Sequence, residues 1–377
     1  MKTKPSLWQM MVLLMFPQVA ETIYSPALAS ISQSFAVTNA QAAQTLSVYF
    51  SALAIGVVVW GILADKWGRR PIMLLGLTIF ACSAITAMQT ESFTVLMLAR
   101  ATSAFGIAVG SVVTQTMLRD VFSGDELAKV FSFMGIGLSI SPVVGMLLGG
   151  QLVHVGGHQA VFSALFALVM LVLIYNVKML PETQQSKQPM HLKALGFKML
   201  KDRQIWTSAM LVALYNIALF SYYQLGAFTF SELGLSAEMF GYSGVVLGAG
   251  TFLGSYLNKI LLDKGFSQNT LLSVACGLLM FGSLGVLAMQ HHIGFLLPMM
   301  LVVMAFGIAI PNVLSRALVK YRSQAGSAGA VLGLLYYLMI GSGLAVVGMV
   351  QNLGVSLVCC ALIVAAITFT SKVRARC

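Results

Sequence analysis

Charge is what this sequence has least of. Charged residues occupy 9% of its 377 positions, against roughly 25% in soluble domains. A globule of this length would have no hydrated skin, so a cytosolic enzyme, a secreted scaffold and a disordered linker are all excluded. Acid is scarcer than base, with 11 Asp and Glu against 22 Lys and Arg, for a net charge of +11. Cysteine is sparse too: the five residues (Cys82, Cys276, Cys359, Cys360, Cys377) show no CxxC or Cys/His ligand spacing. They read as small buried hydrophobes rather than a disulfide framework or a zinc site. His154 and His158 are four apart without a glutamate beside them, and His291–His292 is another loop pair. Neither suggests a metal centre. No Gly-Lys-Ser/Thr phosphate loop occurs, so nucleotide hydrolysis by that route is excluded.

What is present is apolar sequence, 58% of the chain. Measured against the roughly 20 residues a helix needs to cross a bilayer, it divides into twelve spans. The first six are Trp8–Ile31, Gln44–Leu63, Pro71–Met88, Phe93–Met117, Val130–Val153 and Ala160–Met179. The second six are Ile205–Phe228, Phe240–Leu261, Thr270–Met289, Ile293–Leu314, Ala325–Val350 and Val355–Thr370. Short alternating strands are missing, so the expected fold is an all-α integral membrane protein and not a barrel. The first span carries polar residues and no small-residue cleavage site, which predicts a retained helix rather than a signal peptide.

The basic residues orient the spans. With the N-terminus inside, every Lys and Arg except Arg100 falls on the cytoplasmic side, as the positive-inside rule requires. That distribution explains the net charge without a nucleic-acid partner. It predicts both termini in the cytoplasm. Trp8, Trp60, Trp67 and Trp206 fall near the same ends, as interfacial anchors do.

Residues 181–204 are the one long polar break. They divide the chain into a first bundle of six helices (1–180), a cytoplasmic linker and a second bundle of six (205–377). In the linker, Met190, Leu192, Leu195, Phe197, Met199 and Leu200 alternate with Lys193, Lys198 and Lys201. That pattern suggests a basic amphipathic helix on the inner leaflet, or else a solvated connection. A weak internal repeat relates Gly61, Asp65 and Lys66 to Gly254, Asn258 and Lys259. Repeats of this size suggest two bundles about a central site.

Ionisable groups inside hydrocarbon are costly, which makes each a functional candidate. Of the acids only Glu21 is mid-span, and of the bases only Arg100. At about 1.5 Å per residue both sit roughly 12–15 Å below the outer surface. Burial disfavours the carboxylate and a nearby cation favours it, so Glu21 with Arg100 is expected to load and release a proton. A static buried ion pair is the alternative. Gln18, Thr22 and Tyr24, with Gln115, suggest a polar cavity. So do Tyr215, Asn216, Tyr222 and Tyr223, and Tyr336 with Tyr337. Aromatic rings with polar tips suit a small amphipathic organic ligand, although packing explains any single tyrosine equally well.

The run Gly61-Ile-Leu-Ala-Asp65-Lys-Trp-Gly68-Arg69-Arg70 resembles the loop motif of the major facilitator superfamily. Arg100 with Gly106 and Gly110 resembles its fourth-helix motif. Gly135-x-Gly137…Ser141-Pro142-x-x-Gly145…Gly149-Gly150 is similar to its fifth-helix antiporter motif, and Leu180-Pro-Glu182-Thr183 to the usual exit from the sixth. Tyr24-Ser-Pro26, Gln44-Thr-Leu-Ser-Val-Tyr49, Arg119-Asp120, Pro311-Asn312 and Ala325-Gly-Ser327 resemble the Bcr/CflA drug-resistance exporters. The resemblance covers nearly the whole chain. One departure is specific: many relatives have an aspartate where this chain has Thr22, and the acid here is one residue earlier, about 100° round the helix.

The resemblance implies two six-helix bundles rocking about a central cavity in a bacterial inner membrane. It also implies a monomer without a cofactor, driven by the proton gradient. Pro142 is then expected to permit a bend, with Gly145 and Gly149 offering a small-residue face for helix approach. Gly61, Asp65, Gly68, Arg69, Arg70, Arg119 and Asp120 would form a cytoplasmic gate. In it Asp65 would accept from the start of the eleventh helix, and Arg69 would pair with Asp120. The expected function is proton-coupled export of amphipathic organic compounds, including drugs. A dedicated exporter of an endogenous metabolite such as a siderophore is the alternative. A receptor or scaffold would call for a large extramembrane domain, and a channel for a ring of charge or a pore loop. The sequence offers neither.

Overall fold

The structure, a computed structural model, describes residues 5–184 and 192–374. Lys2, Lys4, Lys187, Met190 and Arg376 lie outside the described residues, as do the side chains of residues 192–194, 322–327 and 371–374. Among the described residues all regular structure is helical. In chain order the helices are α1 (Leu7–Thr22), α2 (Leu28–Ser34), α3 (Asn39–Trp67), α4 (Arg69–Gln89), α5 (Phe93–Val121) and α6 (Gly124–Met179). After the linker helix α7 (Leu192–Leu200) come α8 (Arg203–Glu232), α9 (Ala237–Asp263), α10 (Gln268–Met289), α11 (Leu296–Ala317), α12 (Ala325–Val350) and α13 (Leu353–Arg374).

Ten of the described helices are long and apolar enough to cross a membrane. The expected count of twelve is recovered at two places where the chain departs from the sequence pattern. The first span is broken: α1 stops at Thr22, a 3-10 turn spans Ser25–Ala27, and α2 follows. Pro26 has no N–H to give to the carbonyl four residues back, so the helix cannot run through. Conversely, α6 holds the fifth and sixth spans in 56 residues. It reverses at Gly156 and Gly157, the only residues in it with non-helical dihedrals. Gly157 has φ +60°, which a side chain would strain.

Local signals start the other helices. Thr38 caps α3 reciprocally: its hydroxyl accepts from Gln41 N at 3.2 Å, while Thr38 N donates to Gln41 Oε1 at 2.9 Å. Ser236 accepts from Met239 N at the head of α9, and Ser267 from Thr270 N at the head of α10. Asp202 caps α8 through Gln204 N at 2.9 Å.

Helices α1–α6 form one bundle and α8–α13 the other. Across the divide α3 packs against α12, and α6 against α9. The linker helix is anchored on one side: α7 buries Leu195 and Met199 against Ile205, Ala209, Ala317, Tyr321 and Leu332 of the second bundle, while Phe197 and Leu200 of the same helix stay exposed. Apolar surface was available beside it, and Lys198 lies over the Tyr321 ring at 5.9 Å.

Candidate functional site

Mid-bundle, α1, α3 and α5 bring the two embedded charges to one place. Arg100 is 1% exposed. Its guanidinium carbon lies 3.7 Å from the centroid of the Tyr24 ring and 4.5 Å from that of Tyr49. Such cation–π contacts contribute roughly 2 kcal/mol when desolvated. The Tyr24 ring is pinned, since its hydroxyl donates to Thr45 Oγ1 at 2.7 Å, and Thr45 donates on to Ala42 O at 2.7 Å. Glu21 is buried, and Arg100 stands within electrostatic reach of its carboxylate. So do Tyr49, Tyr223 and Tyr337, the last two contributed by the second bundle.

The static ion pair does not form. No contact within 4.0 Å joins Glu21 to Arg100, and Glu21 Oε1, Arg100 Nε, Arg100 Nη2 and Tyr49 Oη are buried without hydrogen-bond partners. A guanidinium cannot shed its charge, so the tyrosine faces are what stabilise it here. This arrangement leaves the Glu21 carboxyl able to change protonation without first breaking an ion pair.

Across the divide Phe50 meets Phe220 at 4.6 Å and Tyr337 at 6.4 Å between centroids, and Tyr336 lies tilted beside Tyr337 at 4.5 Å. Tyr223 joins this group through Phe220 at 5.6 Å. Three other expected cavity residues are elsewhere. The Thr22 hydroxyl donates to Gln18 O at 2.7 Å and sits under Gly145. Tyr222 is packed inside the second bundle against Phe240 and Phe295, with its hydroxyl on Ser243. Tyr215 is buried, and its hydroxyl has no partner. Gln18, Gln115 and Asn216 are half-buried; the Asn216 amide donates to Val212 O at 2.7 Å in its own helix.

The two ends of the divide differ. At the Ser25 end the bundles are joined. Ser25 Oγ donates to Tyr223 O, Gln44 Nε2 to Ala345 O at 3.0 Å, and Gln151 Nε2 to Tyr242 Oη at 2.8 Å. Gly150 and Gly241 bring α6 and α9 together there: a Cβ on Gly241 would lie 3.0 Å from Gly150 Cα. Along α3 toward the opposite, basic end the spacing changes. A Cβ on Gly341 of α12 would meet Ser51 Oγ of α3 at 2.4 Å, whereas one on Gly61, further along α3, would meet nothing within 4 Å.

At the basic end of the first bundle Arg69 gathers a charged cluster, and in the second Lys320 pairs with Asp202 at 3.4 Å. Arg69 donates from Nη1 to Asp65 Oδ1 at 2.5 Å and from Nε to Asp120 Oδ2 at 3.0 Å. Glu182, just past α6, accepts at 3.0 Å from the backbone N–H of Arg69 and of Arg70, capping α4. Partial burial alone would raise its pKa; backbone donors from Gln184, Arg70, Arg69 and Thr183 outweigh that and hold it below the usual carboxylate value. Gly68 permits the approach. Its φ is +103°, and a Cβ there would lie 2.7 Å from Glu182 Oε2. Thr183 donates to Asp120 at 3.1 Å, Arg70 Nη2 to Val177 O at 2.7 Å, and Arg119 lies over Phe131 at 5.6 Å. The partner expected for Asp65, the start of the eleventh helix, falls among residues 322–327, whose side chains lie outside the described residues. In the second bundle the matching position is Asn258, which accepts from Asn312 Nδ2 at 2.6 Å.

The glycine face of the fifth span packs within its own bundle. Gly145 and Gly149 press on Thr22 and Ile23 within the first bundle, where a Cβ on Gly149 would lie 2.4 Å from Ile23 O. Pro142 sits in α6 with helical dihedrals around it. Tyr49, Thr45, Gln224 and Glu182 were not among the candidates. The first two stand in the Gln44–Tyr49 motif, and Gln224 was legible as an amide in an apolar span.

The sequence profile of the Major Facilitator Superfamily matches residues 10–348. An uncharacterized transporter of Rickettsia felis is 31% identical over 353 residues, covering 88% of this chain and 86% of that one. Multidrug resistance protein D of Escherichia coli is 28% identical, with coverage of 89% and 86%. A bicyclomycin resistance protein homolog of Haemophilus influenzae is 26% identical, with coverage of 85% and 83%. Among solved structures, a bacterial homolog of the human lysosomal transporter Spinster, inward-facing and occupied, superposes with a TM-score of 0.75 at 16% identity, covering 97% of this chain and 96% of that one. The chain belongs to the Major Facilitator Superfamily: it is a multi-span membrane transporter and not an enzyme.

Proposed function

We propose that this transporter exports amphipathic organic compounds, drugs among them, from the bacterial cytoplasm in exchange for protons. The observation that carries the reading is the buried, unpaired Glu21 carboxyl beside an unpaired Arg100, facing the divide between the bundles. The positive-inside rule makes the basic end cytoplasmic, so the Ser25 end, where the bundles are joined, faces out. Cargo enters from the cytoplasm and places its apolar surface against Phe50, Phe220, Tyr223, Tyr336 and Tyr337. Its positive or polar group meets Glu21 and displaces the proton there. The Arg100 guanidinium lies on the Tyr24 and Tyr49 rings and not on the carboxyl, so proton exchange at Glu21 breaks no ion pair. The bundles then rock, the Ser25 end opens, and an external proton replaces the cargo. Relatives named for multidrug and bicyclomycin resistance support this cargo class.

The test is transport in proteoliposomes, with a lipophilic cationic dye such as ethidium and an imposed pH gradient. Gradient-driven dye movement should fall at least tenfold in Glu21→Gln while dye exchange without a gradient persists. Full gradient-driven movement in that variant would end the proposal for Glu21.

A further inference from the structure

Gln224 lies in α8 where three helices of both bundles converge, and it is 0% exposed. Its Nε2 donates to Ala43 O of α3 at 2.8 Å and to Leu344 O of α12 at 3.0 Å, with Ser47 Oγ of α3 at 3.3 Å. Both carbonyls can only accept, so the amide nitrogen must face them. Turning the amide over would set three oxygens together. Its Oε1 is left buried and unpartnered. Gly348 of α12 makes the room: a Cβ there would lie 3.1 Å from Gln224 Nε2 and 2.9 Å from Gln44 Nε2. The neighbouring Gln44 repeats the pattern by donating to Ala345 O at 3.0 Å.

We infer that Gln224 is a positioning residue that sets the balance between the shut and open forms of the Ser25 end. Its one amide group ties α3 of the first bundle to α8 and α12 of the second. Opening that end separates α3 from α8 and α12, so the bonds to Ala43 and Ser47 must part in every cycle, while the bond to Leu344 stays within the second bundle. The unpartnered Oε1 opposes the shut form, because a buried acceptor without a partner is destabilising, and it regains a partner when water enters. The amide is one tie among several at this end, where His154 Nδ1 of α6 also stands 3.8 Å from Glu238 Oε1 of α9, and its own bond set is only partly satisfied. This role rests on the proposed function only in taking the bundles to move against each other.

The test is a distance measurement rather than a transport assay. Spin labels at Gln33 and Glu232, one on each bundle at this end, are read in the full chain in lipid nanodiscs after the native cysteines are replaced. Gln224→Glu keeps the shape but puts an acceptor against two carbonyls. It should raise the ratio of long to short distances at least threefold, and Gln224→Leu should do the same. Gly348→Ala, which crowds the amide without removing it, should shift the ratio the same way. Gln224→Asn, which keeps the donor on a shorter arm, should restore part of the short population. An unchanged distribution in folded Gln224→Glu and Gly348→Ala would overturn the inference and leave Gln224 as packing. The result stands or falls whether or not protons drive transport.

Discussion

In the first bundle Asp65 ends α3 paired with Arg69, which also holds Asp120, while Glu182 closes over the backbone of Arg69 and Arg70. At the matching place in the second bundle, Asn258 and Asn312 share one neutral hydrogen bond. The same division runs through the membrane's middle. Glu21 and Arg100 lie in the first bundle, while the second contributes tyrosines and the Gln224 amide. The first half carries both embedded charges. The second contributes mostly neutral contacts to the divide, although Lys320 pairs with Asp202 at 3.4 Å at its basic end and Glu238 stands 3.8 Å from His154 of the first bundle at the Ser25 end.

Three changes put that division to the test, beginning with the largest effect. Arg69→Ala removes the guanidinium that Asp65 and Asp120 share. Breaking a buried charge cluster this way costs roughly 3 kcal/mol or more, whereas Asn312→Ala should cost about 1–2 kcal/mol. Thermal unfolding of the purified protein compares them directly; equal losses would erase the contrast between the halves. Next, Asp65→Asn should slow transport severalfold while cargo affinity stays within about threefold, because Asp65 lies far from the tyrosine cluster. A binding titration beside the transport assay separates the two, and lost binding would place Asp65 in the cargo site.

The smallest effect is on acid stability. Glu182 is held below its ordinary value of 4.5, so its contribution is complete above that pH and is lost as pH falls through the folded value. Melting temperature followed from pH 5 down to about pH 3 should therefore drop less steeply in Glu182→Gln than in the parent chain. Identical slopes would mean that the α4 cap adds nothing.

Much of this was legible in the sequence because hydrocarbon imposes length and polarity on each span. The twelve crossings, the linker and the isolation of Glu21 and Arg100 followed from counting. What escaped depends on side-chain direction and neighbours. Equal depth brought Glu21 and Arg100 together as expected, but depth does not say that Arg100 would lie on the Tyr24 and Tyr49 rings instead of pairing. Small residues at Gly145 and Gly149 announced a close approach without naming Thr22 and Ile23 as its target. The apolar face of α7 was visible, and which of its residues Ala317 and Tyr321 would cover was not. Pro26 was a readable break that the hydropathy of the first span concealed.

The central claim is that Glu21 carries the exchanged proton, and proton release from the purified protein tests it most directly. Adding saturating ethidium to lightly buffered protein in detergent, and following a pH-indicating dye across pH, should show protons released in step with cargo binding. Glu21→Gln should bind the dye and release none. Undiminished release from that variant would move the proton to another group and contradict the account.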